Sequence, residues 1–188
     1  LQVAGFDVLL FDYNESSEIE ARYYKNLESK MIDGLILITS IADESHIIAI
    51  AETVPTVLIE REVVSQNVDS VLVDEENAML QLMQYLKVMG HRKVGLINGA
   101  ENTSSAIYRL AAFEKALKTE EMDSTGTYVI HTEWSLIGGK QAFIHLMREK
   151  APCTAYICSS DQLAIGALGG AYDLKMRIPE DVSIVGVL

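Results

Sequence analysis

Apolar runs that fail to alternate are the strongest constraint on this chain. Gly34-Leu35-Ile36-Leu37-Ile38 and Val94-Gly95-Leu96-Ile97 are continuous. Such runs describe strands covered on both faces, and hence a parallel sheet between layers of helix. Strands are predicted at 7–11, 35–39, 56–60, 70–73, 93–98, 127–131, 155–159 and 182–187. Helices are predicted at 18–30, 43–52, 77–89, 105–120, 138–149 and 162–174. Gly90 reads as a helix stop and Asp161 as an N-cap, while Leu80, Leu82, Met83, Leu86 and Met89 read as a core-facing stripe. Strand–helix alternation with short loops is a doubly wound α/β architecture. One pair breaks the rhythm: between 56–60 and 70–73 there is no room for a helix. The boundary between two α/β subdomains is therefore placed at Asp74, giving 1–74 and 75–188.

Charge follows the same division. The chain carries 27 acidic and 15 basic side chains, net −12; residues 1–74 hold 14 acids against 4 bases, and 75–188 hold 13 against 11. A surface this acidic repels phosphate backbones, so the chain is not expected to grip nucleic acid by itself. No apolar stretch reaches the length of a membrane span, so no membrane partner is expected. Cys153 and Cys158 match no disulfide framework or metal spacing and read as reduced thiols of a cytosolic protein. The opening Leu1-Gln2-Val3-Ala4-Gly5 lacks a start Met and a basic segment, and reads as cut rather than targeted.

Catalytic signatures are missing. No G-x-G-x-x-G, phosphate-loop, G-x-S-x-G or H-E-x-x-H pattern occurs. His46, His91, His131 and His145 are scattered, and His91 is explained by the helix C-terminus before it. The fold supplies a better lead, because open parallel sheets bind ligands beyond the carboxyl ends of their strands. There the sequence places Tyr13-Asn14, Thr39-Ser40, Glu60-Arg61, 98–105, Arg109, Trp134 and Ser159-Ser160-Asp161. Hydroxyls, one guanidinium and one indole make the inventory of a small polar ligand site. No carboxylate pair is poised for acid–base work, which favours binding over catalysis.

Seven segments then stand in a familiar order. They are Gly5-Phe6-Asp7-Val8-Leu9-Leu10, Asp33-Gly34-Leu35-Ile36-Leu37, Pro55-Thr56-Val57-Leu58-Ile59-Glu60-Arg61, Asp69-Ser70-Val71-Leu72-Val73-Asp74, Gly90-His91-Arg92-Lys93-Val94, Ser160-Asp161-Gln162-Leu163-Ala164-Ile165-Gly166-Ala167 and Ile178-Pro179-Glu180-Asp181-Val182-Ser183-Ile184-Val185-Gly186. Together they resemble the effector-binding core of the LacI/GalR family of bacterial transcription regulators. The resemblance implies two doubly wound parallel-sheet lobes of the periplasmic-binding-protein-like type, the N-terminal one incomplete, with a small-molecule effector in the cleft between them. It also implies a cytoplasmic homodimer, operator DNA held only through a helix-turn-helix domain missing from this chain, and no enzyme activity, cofactor or metal. A periplasmic sugar-binding receptor of a transporter is the alternative on the same fold.

The resemblance also implies site residues. Arg109 takes the place of the family's effector-binding arginine, Ser105 that of a serine that contacts effector in some members, and Trp134 that of an aromatic that stacks on sugars. Ser160 stands where the family has Asn beside Asp161, and Glu60 stands where it has Asp before Arg61. Structural readings stand beside these: Arg109 as an exposed helical arginine, Trp134 as a core plug, Asp161 as the cap of its helix. Beyond Gly186 the family has an aromatic and then an effector-contacting Asp, where this chain has Val187 and Leu188.

Overall fold

The computed structural model describes residues 2–13, 16–27, 32–125, 128–149 and 153–187, without the side chains of Gln2 and Asn26. Leu1, Asn14, the predicted helix end at 28–30, Thr127 and Leu188 lie outside the described residues. Two compact units divide the chain, Leu1–Leu72 and Val73–Leu188. All sheet pairing in both is parallel.

The first unit runs α1 (Ser17–Leu27), β1 (Leu35–Ile38), α2 (Glu44–Ala51), β2 (Thr56–Ile59) and β3 (Val68–Val71), with sheet order β1-β2-β3. Its core gathers Ile47, Ala51, Leu58, Val63 and Val68. The link from β2 to β3 contains no helix, as anticipated. Val63, in its middle, is buried and joins that core.

Four expectations change here. Residues 7–11 do not form a strand, and Val8, Leu9 and Leu10 are exposed. Alternating sterics allow an extended chain, but a strand needs a ladder partner for its backbone groups. β1 is covered on one face only, with Ile36 and Ile38 exposed, so its continuous apolar run misread double burial. β3 begins at Val68, two residues before the predicted start, because its register is set by Thr56 of β2 facing Val68. The predicted stripe on the next helix turns slightly: Met79, Met83 and Leu86 are buried, and Met89 is exposed past the helix end.

The second unit continues with α3 (Glu75–Val88), β4 (Val94–Asn98), α4 (Ser104–Thr119), β5 (Val129–His131), α5 (Leu136–Arg148), β6 (Ala155–Cys158), α6 (Asp161–Asp173) and β7 (Ser183–Gly186). Sheet order is β5-β4-β6-β7. Here continuous apolar runs mean what they were read to mean. Val94 and Leu96 of β4, with Ala155 and Ile157 of β6, point into a core shared with Met79, Met83, Phe113 and Leu117 of α3 and α4. Ile97, Tyr156 and Cys158 point the other way, toward Phe143, Leu146, Leu163 and Ala167 of α5 and α6. Alternate residues therefore feed two different cores, the geometry of a doubly wound sheet. Gly90 ends α3 with φ +93, the left-handed conformation that glycine adopts without strain.

His91 stands just past the α3 C-terminus as read, its amide bonded to Leu86 O at 3.0 Å, and its ring Nδ1 lies 2.8 Å from Thr154 Oγ1. Partial burial lowers its pKa.

Cys153 and Cys158 are unpaired and buried. Burial raises both thiols, Cys158 to about 12. Native protein at pH 8 is therefore expected to be inert to Ellman's reagent, with both thiols titrating after guanidinium unfolding. Prompt reaction of the native protein would contradict the packing of β6 between its two helical layers.

Candidate functional site

Strand order positions the site. From β4 the chain crosses to β5 on one side, then returns past β4 to β6 on the other. The crevice at such a reversal lies between the carboxyl ends of the two strands where winding changes direction, here β4 and β6. The residues just beyond those ends are Gly99–Thr103 and Ser159-Ser160.

Each flanking helix is started by a side chain at this edge. Asp74 accepts from Asn77 N at 3.1 Å, Thr103 from Ala106 N at 3.4 Å, Ser135 from Gly138 N at 2.9 Å and Ser160 from Leu163 N at 3.3 Å. The cap of α6 is therefore Ser160, and Asp161 is the exposed first residue of the helix. Ser160 has the extended backbone of an N-cap, whereas Asp161 is already the first helical residue, so the hydroxyl is the group placed to cap. The Asp161 carboxylate is free to sit at the edge, beside Gly186.

Arg109 is buried, 4% exposed, which removes its reading as a surface arginine. It stands on the second turn of α4 and points across the strand ends. Nε donates to Glu75 Oε1 at 2.9 Å, and Nη1 donates to the carbonyl of Ser159 at 2.5 Å. The guanidinium carbon lies 6.0 Å from the Trp134 ring centroid, within cation–π range. One cation thus bridges the first residue of α3, the residue after β6 and the loop after β5.

Trp134 is half-buried and partly fills the plug role: its indole rests on Gly99, where any Cβ would overlap the ring. Its Nε1 donates to Thr103 Oγ1 at 3.2 Å. Asn98, fully buried at the end of β4, donates through Nδ2 to Ala106 O at 2.9 Å and accepts from Gly99 N at 3.0 Å. The Asn98 bonds hold the β4–α4 loop, against which the indole rests. Ser105 is buried on the first turn of α4. Arg109, Ser105, Trp134, Ser160 and Asp161 are all carried by the second unit and its strand-end loops.

Glu60 belongs to the first unit. It follows β2 with φ +60, its amide bonded to Val71 O at 3.0 Å, and Thr39 after β1 has φ +51. Non-glycine residues in this conformation are strained, and a β-branched one most of all. Beside them Glu20 Oε1 accepts from Tyr24 Oη and Ser40 Oγ, both at 2.5 Å, and Oε2 accepts from Ile41 N at 3.2 Å. Arg61 Nη1 donates to Ser40 O at 2.7 Å. Burial and the Glu20 carboxylate push the Tyr24 phenol well above its usual range.

Sequence reasoning missed Glu75 and Glu20, and placed Ser159 on the strand-end edge without its bond to Arg109. Glu75 lies in an Asp-Glu-Glu run at a helix start, where acids are ordinary partners of the dipole, so nothing local marks its reach to Arg109. Among the described residues no cluster of His, Cys, Asp and Glu could hold a metal, and no helix is long and apolar enough to cross a membrane.

A parallel doubly wound sheet with a guanidinium and an indole at its switch point defines a class: effector- or sugar-binding domains of the periplasmic-binding-protein type. The family model for periplasmic binding proteins and the sugar-binding domain of the LacI family matches residues 1–188, and the chain belongs to that family. The HTH-type transcriptional repressor CytR of Escherichia coli (strain K12) is 28% identical over 183 residues, covering 97% of this chain and 54% of the repressor. A LacI-family regulator from Mycobacterium smegmatis superposes with TM-score 0.84 at 27% identity, covering 98% of this chain and 68% of that one. The lac repressor dimer bound to operator and an anti-inducer superposes with TM-score 0.77 at 25% identity, covering 92% and 60%. The chain spans about half the length of the curated relatives it matches.

Proposed function

We propose that this chain is the effector-sensing part of a LacI-type transcriptional regulator. In this reading a small polar metabolite, a sugar or sugar derivative, binds at the strand-end edge and biases the operator affinity of a helix-turn-helix domain. The observation that carries it is Arg109: a buried arginine at the reversal of the sheet, with Trp134 on its face and hydroxyls around it. Indole faces bind the C–H surface of sugars, and hydroxyls and amides fix their O–H groups. Glu60, Ser105, Ser160 and Asp161 are proposed as further contacts. The mechanism is population shift, in which effector favours one conformation of the regulator over another by its differential affinity.

Repressor relatives support a regulator that catalyses nothing and works in the cytoplasm as a homodimer on DNA. They favour it over a transporter's periplasmic receptor, which shares the family model. Differential scanning fluorimetry of the full-length protein against a metabolite library tests the reading. At ligand concentrations near 100 Kd a true effector adds about 2.7 kcal/mol, a rise of roughly 5–10 °C in Tm. The same compound should alter operator binding in a mobility-shift titration. A compound that raises Tm while leaving DNA affinity untouched would refute the regulator and leave only a binding protein.

A further inference from the structure

We infer that Glu75 is a specificity-determining residue that restricts this site to uncharged, hydroxyl-bearing effectors and turns away those with a carboxylate or phosphate. The inference rests on reading the Arg109 edge as the effector site.

Arg109 is the natural anchor for an anionic group, since its planar fork matches carboxylate and phosphate oxygens. In this chain the fork already holds a carboxylate. Arg109 Nε meets Glu75 Oε1 at 2.9 Å, with the two side chains 5% and 11% exposed. Nη1 is turned inward to the Ser159 carbonyl, and the indole of Trp134 lies within 6.0 Å of the guanidinium carbon. An arriving anion would meet a guanidinium whose charge is matched and a buried carboxylate beside it. Like charges in a site shielded from water repel strongly.

Glu75 is held at this place twice over. It is the first residue of α3, where a negative charge is favoured by the helix dipole, and its chain is fixed by the Asp74 cap. A second carboxylate, Asp161, opens α6 next to Ser160 on the same edge. Arg109 is thus paired with one carboxylate, and a second stands on the same edge.

The acceptors around the guanidinium point to what is accepted. Glu75 Oε2 and Ser159 Oγ are both buried without a hydrogen-bond partner. Both belong to residues that touch Arg109. The Ser159 hydroxyl can donate or accept and so does not discriminate, but a carboxylate oxygen such as Glu75 Oε2 only accepts, and the O–H of a polyol supplies it a donor where a carboxylate or phosphate supplies only more acceptors.

The experiment uses full-length protein and matched probes: glucose, glucuronate and glucose 6-phosphate; galactose and galacturonate; ribose and ribose 5-phosphate; adenosine and AMP. Affinities are read by isothermal titration calorimetry for wild type, Glu75→Gln and Arg109→Met, with circular dichroism confirming that each variant is folded. In wild type a neutral probe binds at least about tenfold tighter than its anionic counterpart, a factor worth about 1.4 kcal/mol. Glu75→Gln narrows that ratio by about tenfold or reverses it. Equal or tighter binding of the anionic member to wild type overturns the inference without recourse to any variant, as does an unchanged ratio in a folded Glu75→Gln protein. The underlying site reading fails separately, either if none of the probes binds wild type or if Arg109→Met leaves all binding undiminished.

Discussion

Arg109→Ala is expected to abolish effector-dependent changes in operator binding and to lower the stability of the domain by about 3–5 kcal/mol, the range for breaking a buried ion pair from one side. Both losses come from one atom group. Removing the guanidinium leaves the Glu75 carboxylate buried and uncompensated, and strips the Ser159 carbonyl of its donor. It also removes the only bridge described between the start of α3, the end of β6 and the Trp134 loop. A urea titration reads the stability loss, and an operator mobility shift with effector reads the function. Adding Glu75→Leu to the Ala variant should recover most of the stability and none of the response, because the stranded charge goes while the ligand anchor stays absent. An Arg109→Ala protein as stable as wild type would mean that the pair is exposed in solution. A protein that still responds to effector would remove Arg109 from the site.

Gly166→Ala should be nearly as damaging, for a reason of shape alone. α5 and α6 pack so closely that a Cβ at Gly166 would overlap the Leu136 carbonyl oxygen and approach Lys140 N at 2.9 Å. The obstruction is backbone, which no rotamer change relieves, so the helices must separate. Overpacking of this kind costs about 1–3 kcal/mol, and the rigid neighbours put this site at or above the upper end. Three residues along the same helix, Gly169→Ala is the control. Its Cβ meets only Lys140 Cδ at 3.9 Å, and replacing an interior helical glycine there should stabilise by roughly 0.5–1 kcal/mol. Thermal melts of the two variants should therefore move in opposite directions. Parallel shifts would show that the α5–α6 spacing is looser than described.

The two results also mark how far the residues alone could be read. Parallel sheets and their helices were legible because each element carries its own signal, such as the apolar run of β4 or the hydroxyl before α6. Failures came wherever a second element decides the outcome. Val8, Leu9 and Leu10 have strand character, yet pairing needs a neighbour that no local pattern can announce. Ile36 and Ile38 extend an apolar run whose second face is exposed. Arg109 and Trp134 were singled out because a strand-end rule and a family resemblance pointed to the same edge, and the two side chains do lie together there. The bonds of Arg109 were not legible, since Glu75 stands 34 positions away and Ser159, although placed on that edge, stands 50. An ion pair across that distance exists only once the sheet has brought three helix starts together.

The capping role of Ser160 carries a mechanical consequence for its proposed part in effector binding. Its hydroxyl begins α6, and α6 is 13 residues long, a rod of about 20 Å. The far end of that rod, at Asp173, is tied to Lys140 of α5 by a 2.7 Å ion pair. Any tug on Ser160 travels through continuous helical hydrogen bonding with no hinge in between. If effector binds at Ser160 as proposed, a displacement there would be passed along α6 toward the Asp173–Lys140 pair at its far end.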